Sequence, residues 1–297
     1  LAAFRSSLFE RLRVKLQDLE RQDNIRRVVM LDTQFRMHPV LGDFVSKHFY
    51  EAAGLGKVQS GRKAEDFAFS DSFLNGMKEL SRHYQERVCQ WVNVPLTEGK
   101  AGKRGTSRVR EAEAERIVDE VRRVMVAGGE SVSVGVITFY AAQRDLIMEK
   151  LAQTKIDGKP LMVRQEGGFE PHDDFKWTRK QNADGSLSQE ERLRVGSVDA
   201  FQGKEFDVVF LSCVRTYQPA HTAKTQQDDD AAREEQLNRQ FGFLRLPNRM
   251  NVAMSRQRQM LICVGDANLA TNPDAEDAVP ALAAFYELCG GAHGSVR

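Results

Sequence analysis

The chain has 297 residues, 41% apolar and 29% charged, and its 43 Lys and Arg against 42 Asp and Glu leave a net charge of +1. That is enough for a sizeable core in one large domain or two small ones. The charge balance excludes a uniformly basic nucleic-acid coat and a highly charged disordered chain, and leaves room for a local basic groove.

In chain order, the segment 1–26 reads as a linker helix or the tail of a preceding domain. The first residue is Leu rather than Met, so the chain is expected to be a piece of something longer. Short β-rich runs follow at Arg27–Leu31, Val88–Val94, Val132–Thr138, Arg194–Val198, Phe206–Val214 and Gln259–Gly265. The stretches Val132–Thr138, Val208–Val214 and Met260–Val264 are almost wholly apolar, as central strands of a parallel sheet covered on both faces are. Helices are predicted between them. Val40–Tyr50 is opened by Pro39. Thr106–Ala127 has an apolar stripe, Thr106 or Ser107 as N-cap and Gly128 as stop. Tyr140–Gln153 and Ala278–Leu288 complete the set. The alternation predicts an open α/β domain over 27–290. Ala53–Glu86 reads as short helices and loops. Charged, solvated insertions are expected near 155–192 and 217–240, the second carrying the acidic run Asp228–Asp230. Residues 291–297 are expected to be a flexible tail.

No stretch approaches ~18 consecutive apolar residues, and Leu1–Arg13 lacks the pattern of a secretory signal. Cys89, Cys213, Cys263 and Cys289 form no C-x-x-C pair and no zinc spacing, so they read as buried thiols of a cytoplasmic protein. No metal site is expected.

Four segments concentrate polar chemistry. Gln34-Phe35-Arg36-Met37-His38-Pro39, taken alone, is either a polar strand-to-helix turn or a strand end aiming Arg36 at an anion. Val134–Gln143 is an apolar strand that ends in Thr138 and enters a helix, either a simple cap or a phosphate contact at a strand's carboxyl end. Ser197-Val198-Asp199-Ala200-Phe201-Gln202-Gly203-Lys204-Glu205 packs polar groups between two strands, with Gly203 permitting a tight turn. Arg249–Arg258 places Arg249, Asn251–Val252 and Arg256 at helical spacing before an apolar strand.

In order and combination these segments resemble the C-terminal half of superfamily-1 helicases of the Q-Y-R-M-H-P type, a group that includes the nonsense-decay helicase, senataxin and many bacterial relatives. Gln34–Pro39 looks like motif IV, Val134–Gln143 motif IVa, Ser197–Thr216 motif V and Arg249–Arg258 motif VI. Ser7–Leu12 and Thr106-Ser107 with Glu113-Ala114 resemble flanking family segments. Phe35 stands for the commoner Tyr, and Arg110 stands where relatives often have Asn. The 217–240 insertion is longer than the family usually shows.

The resemblance implies a second RecA-like motor domain, with an open, mainly parallel sheet and no P-loop of its own. It implies that Arg36 and Arg256 are arginine fingers reaching the γ-phosphate of ATP. Planar, permanently charged Arg suits charge on a transferring phosphoryl group. Gln34, Gly203, Glu205 and Arg258 would lie on the nucleotide side, with Gln202 and Gly203 coupling it to the strand. Thr138, Ser197 and Gln143 would hold single-stranded DNA or RNA. No G-x-x-x-x-G-K-[ST] occurs, and Gly99–Thr106 has the wrong spacing for one. The Mg²⁺ ligands and phosphate cradle are therefore expected from an upstream RecA-like domain of the parent. The rival expectation is a degenerate, non-catalytic domain that binds nucleic acid or scaffolds partners.

Overall fold

The computed structural model describes residues 8–181, 185–218 and 229–297. The chain divides after Thr33 into a small N-terminal unit and a large one, Gln34–Arg297. Ser7 and Asp228 lie outside the described residues.

The small unit is helix α1 (Leu8–Asp23) and the extended segment after it. The run Arg27–Leu31, expected as a strand, is not one. Its backbone is held locally instead: Glu20 accepts from the Val28 amide at 2.6 Å and from that of Arg27, and Asp23 pairs with the Arg27 guanidinium. Val29 and Leu31 stay exposed. A β-rich run becomes a strand only with a partner ladder, and among the described residues it finds none.

The large unit is built on six parallel strands: β1 (Cys89–Asn93), β2 (Val134–Thr138), β3 (Leu193–Ser197), β4 (Phe206–Ser212), β5 (Gln257–Gly265) and β6 (Gly294–Val296). Their order across the sheet is β3-β2-β4-β5-β1-β6. Every residue of β2 and β4 is buried. Around the sheet run α2 (Pro39–Val45), α3 (Asp71–Met77), α4 (Glu111–Gly128), α5 (Ala141–Gln153), α6 (Asp229–Phe241), α7 (Pro247–Ala253) and α8 (Pro280–Gly290).

Side chains alternate across a strand, so each strand serves two cores. Val208 and Phe210 join Val134, Val136 and Ile262 against Ile117 and Val121 of α4 and Ile147 and Leu151 of α5. Val209 and Leu211 join Ile137, Leu261 and Cys263 against Leu41 and Phe44 of α2 and Leu282 and Phe285 of α8. The result is the expected sheet with helices on both faces, a RecA-like α/β arrangement.

Several expectations need correcting. The tail 291–297 is not loose: β6 pairs with β1, and the Arg297 guanidinium grips Glu120 at 2.7 and 2.8 Å. Helix α4 starts at Glu111, not near Thr106, because Ser107–Val109 pairs antiparallel with Gly102–Arg104 as a hairpin. Residues 155–192 are not wholly solvated. They form three small antiparallel strand pairs and send Leu161, Met162 and Phe175 into the core. In the second insertion α6 buries Leu237 and Phe241. No helix among the described residues is long and apolar enough to cross a membrane.

Candidate functional site

The motif residues collect at two opposite edges of the sheet. The first cluster lies at the amino ends of the strands. Glu205 immediately precedes β4, and Arg256 immediately precedes β5, which carries Arg258 as its second residue. Arg256 is therefore not on the motif helix, as the spacing suggested, since α7 ends at Ala253. Arg36 comes from the turn before α2. That turn is hydrogen-bonded to β5, with the His38 amide donating to the Arg258 carbonyl at 2.9 Å.

Gln34 shapes the turn. Its side-chain oxygen accepts from the Arg36 and Met37 amides at 2.9 and 2.7 Å. Its side-chain nitrogen donates to Met37 O at 2.9 Å and to Ser60 Oγ at 2.8 Å. Gly42 of α2 makes room for this amide, because a Cβ there would sit 2.6 Å from Gln34 Nε2. His38 caps α2, its Nδ1 accepting from the Val40 amide at 3.2 Å.

From this turn Arg36 donates through Nε to Glu205 at 2.9 Å and through Nη1 to the Ser255 carbonyl at 3.0 Å. Arg256 is bound less strongly, through Nε to Val252 O at 3.0 Å and Nη2 to Ser255 Oγ at 2.9 Å. Burial, and then the charge of Arg36, pull the Arg256 guanidinium down to about 10. Both arginines line one cavity of about 230 Å³ together with Gln34, Phe35, Tyr50 and Ser255. The cavity walls include no carboxylate. Such a site suits an anion, because Arg256 sits half-buried beside a second guanidinium and, among the described residues, makes hydrogen bonds only to neutral groups.

Arg258 is a different case. It donates to Asp207 at 2.9 Å, Glu190 at 2.7 Å, Glu205 at 3.2 Å and Ser133 Oγ at 3.1 Å. Burial opposes its charge, but Asp207 and Glu190 outweigh burial and hold the guanidinium above its ordinary value. It anchors Glu205 and faces no open space of its own. Gly203 takes φ of +77°, the left-handed turn that favours glycine, and leaves Gln202, Lys204 and Glu205 exposed. Arg249 is spent on Asp199 and on the face of Phe243.

The second cluster lies at the carboxyl ends. Ser197, Thr138 and Ser212 stand in register across β3, β2 and β4. Ser197 is half-buried, while Thr138 and Gln143 are fully buried. Thr138 Oγ1 accepts from the Tyr140 amide at 3.4 Å. Gln143 accepts from the Arg110 amide at 2.8 Å and donates to Arg110 O and Ser212 Oγ, each at 3.2 Å. Of the three residues expected to contact the strand, Ser197 alone is not fully buried.

Beneath this edge is a buried network that the motifs did not reveal. Arg110 and Glu113, both without exposed side-chain surface, face each other at 3.5 Å. Glu113 accepts from Ser212 Oγ at 2.6 Å and the Val214 amide at 2.8 Å. Arg110 donates to the carbonyls of Val94, Pro95 and Gly99. Burial pushes the Glu113 carboxyl up to about 7, against Arg110 and its two hydrogen-bond donors. The sequence marked these residues only through the family resemblance, Glu113 in a flanking segment and Arg110 as a departure from it, with no sign that they pair.

The family described as AAA domain matches residues 4–268. The chain is 30% identical over 268 residues to a regulator of nonsense transcripts 1 homolog of Neurospora crassa, covering 89% of this chain and 18% of that protein. It is 30% identical over 276 residues to the ATP-dependent helicase NAM7 of Saccharomyces cerevisiae, covering 91% and 21%. It is 28% identical over 241 residues to the 5'-3' DNA helicase ZGRF1 of Mus musculus, covering 80% and 9%. The chain thus spans about a fifth or less of the length of these relatives. With a matching profile over most of its length and a two-faced parallel sheet to carry it, the chain belongs to the AAA domain family of helicase-related proteins.

Proposed function

We propose that this chain is the second RecA-like motor domain of an ATP-dependent helicase acting on single-stranded DNA or RNA. The observation that carries the reading is the cavity shared by Arg36 and Arg256, two arginines from separate motifs, whose walls include no carboxylate. Its donor set fits a terminal phosphate. ATP with Mg²⁺ would supply the phosphoryl group whose transfer to water drives the cycle.

The chain's own part is electrostatic. Arg256, half-buried and loosely held, would place its charge against the γ-phosphate. Arg36 would do the same after exchanging its Glu205 contact for the anion. Arginines used this way are worth ~10³–10⁵ in rate. Gln34 sets the direction of Arg36, while Gly203 and Glu205 form the exposed rim on the nucleotide side, with Arg258 holding Glu205. At the other edge, Ser197 would contact the strand directly. Thr138 and Gln143 would act from beneath, fixing the turn into α5 and the end of β4. The P-loop and the Mg²⁺ ligands would come from a preceding domain of the parent.

The test is ATP turnover by the parent protein with and without single-stranded DNA or RNA, beside Arg256→Ala. The expected result is strand-stimulated turnover that falls by about 10³-fold in the variant. Turnover unaffected by Arg256→Ala would refute the finger assignment. Tight strand binding with no turnover would instead support a non-catalytic, nucleic-acid-binding or scaffold domain.

A further inference from the structure

Glu190 reaches the arginine cluster from outside the four motifs. It stands at the end of the 155–192 insertion, just before β3. Its backbone is held on both sides. The Glu190 amide donates to Thr178 Oγ1 at 3.2 Å, and its carbonyl accepts from the Thr178 amide at 2.8 Å. Thr178 is itself fully buried, and the Arg192 amide donates to Lys176 O at 2.9 Å. From this fixed base the Glu190 carboxylate accepts from Arg258 Nη2 at 2.7 Å, shorter than the Arg258 contacts to Asp207 at 2.9 Å and to Glu205 at 3.2 Å.

Glu190 is not a wall of the arginine cavity. It lines a separate recess of about 710 Å³, with Glu191, Lys204 and Glu205 among the other walls. Its route to Arg36 therefore runs through Arg258 and Glu205. Arg258 is one cation shared by three carboxylates. Its donors are few and fixed in a fork, so those given to Glu190 and Asp207 are withheld from Glu205. The attraction between Arg258 and Glu205 is offset in the same way, because the Glu190 charge sits against the same guanidinium. Glu205 thus keeps enough unanswered charge to hold Arg36 at 2.9 Å. Without the Glu190 charge, Arg258 would turn toward Glu205, and Glu205 would release Arg36 more readily.

We infer that Glu190 is a positioning residue of the arginine site: by occupying Arg258 it sets how firmly Glu205 holds Arg36. The step from there to ATP rests on the motor-domain reading, in which Arg36 leaves Glu205 for the γ-phosphate. The insertion, which contributes nothing to the four motifs, would then govern how easily that exchange occurs.

The test has two readouts. In the 297-residue chain, NMR follows solvent exchange of the assigned Arg36 Nε proton in the unchanged sequence, Glu190→Gln and Glu191→Gln. Glutamine keeps the length and an acceptor oxygen and drops the charge. Glu191 lines the same recess but pairs with Arg194 at 2.8 Å and Lys204 at 3.4 Å, so its variant controls for charge alone. Exchange is expected to quicken about threefold in Glu190→Gln and to stay unchanged in Glu191→Gln. In the parent protein, Glu190→Gln should lower the KM for ATP about threefold and leave kcat within about twofold, since an Arg36 already freed favours ground state and transition state alike. In a Glu205→Gln background the KM shift should vanish, because the route through Glu205 is cut. An Arg36 proton or a KM that Glu190→Gln does not move overturns the inference. So does an equal effect of Glu191→Gln, or a KM shift that survives Glu205→Gln, either of which would mean a general field rather than a relay. A parent that turns over no ATP, beside a chain in which Glu190→Gln still frees Arg36, refutes the motor reading and upholds the hold of Glu190 on Arg36.

Discussion

Glu205 divides its two oxygens between two guanidiniums, Oε2 to Arg36 and Oε1 to Arg258. Arg258 is also fixed by Asp207 and Glu190, so Glu205 has a firm rear contact and a removable front one. On the motor reading, this asymmetry would let Arg36 exchange Glu205 for the anion. Glu113 shows the opposite use of a carboxylate. Its value of about 7 in the folded chain lies above the ordinary 4.5, so between these values the folded chain holds a proton that the unfolded chain has released. Its contribution to stability is therefore full below pH 4.5 and is lost as pH rises through about 7. Glu113→Gln keeps an acceptor for Ser212 Oγ and the Val214 amide but cannot ionise. Urea unfolding of this variant, compared with the unchanged chain at about pH 5 and about pH 8, is expected to show a smaller loss of stability toward the alkaline side. An unchanged pH slope would mean that Glu113 is ionised throughout.

At the level of elements, β2, β4 and β5 were legible because strands buried on both faces must be apolar nearly throughout. Strand β6 was not. Gly294, Ser295 and Val296 carry no pattern, and their place comes from distant partners: the Arg297 amide donates to Trp91 O at 3.0 Å, and the Asn93 amide to Arg297 O at 2.7 Å. The start of α4 was misplaced for a related reason. Thr106 and Ser107 look like caps, but the ladder to Gly102–Arg104 claims that stretch first. The run Arg27–Leu31 had strand composition and found no ladder at all. Strand β6 yields a prediction of its own. Glu120 is only 3% exposed, and Arg297 is its bidentate partner. Removing one partner of a buried pair leaves an unanswered charge, worth about 3 kcal/mol. Arg297→Ala should lower the unfolding free energy by about that amount in urea, while Ser295→Ala should change it little.

Over the whole molecule, the residue types at both edges were legible in four short motifs. Their separation was not. It depends on which end of each strand a motif occupies, and only pairing in the sheet decides that. Hence Arg36, Glu205 and Arg256 gather at one edge, and Thr138, Ser197 and Ser212 at the other. The burial of Gln143 was equally hidden, because it rests on hydrogen bonds to Arg110 and Ser212 that only the fold assembles. On the motor reading, the separation would make the two functions independently breakable. Arg36→Ala should cut strand-stimulated turnover by the parent protein about as deeply as Arg256→Ala, while leaving its strand affinity without nucleotide within about twofold. A parallel fall in that affinity would place Arg36 on the strand instead.

Strand β4 spans the distance between these edges, seven residues with every side chain buried. At about 3.3 Å per residue it is a rod roughly 23 Å long, clamped on both sides by neighbouring strands. Close packing of this kind has low compressibility and transmits strain along its length. On the motor reading, a push at the phosphate end would be carried to the polymer end through this stiff strand, with the domain tilting as a body. The sheet then serves as a rigid lever arm, and stepping length is set by its geometry rather than by any internal spring.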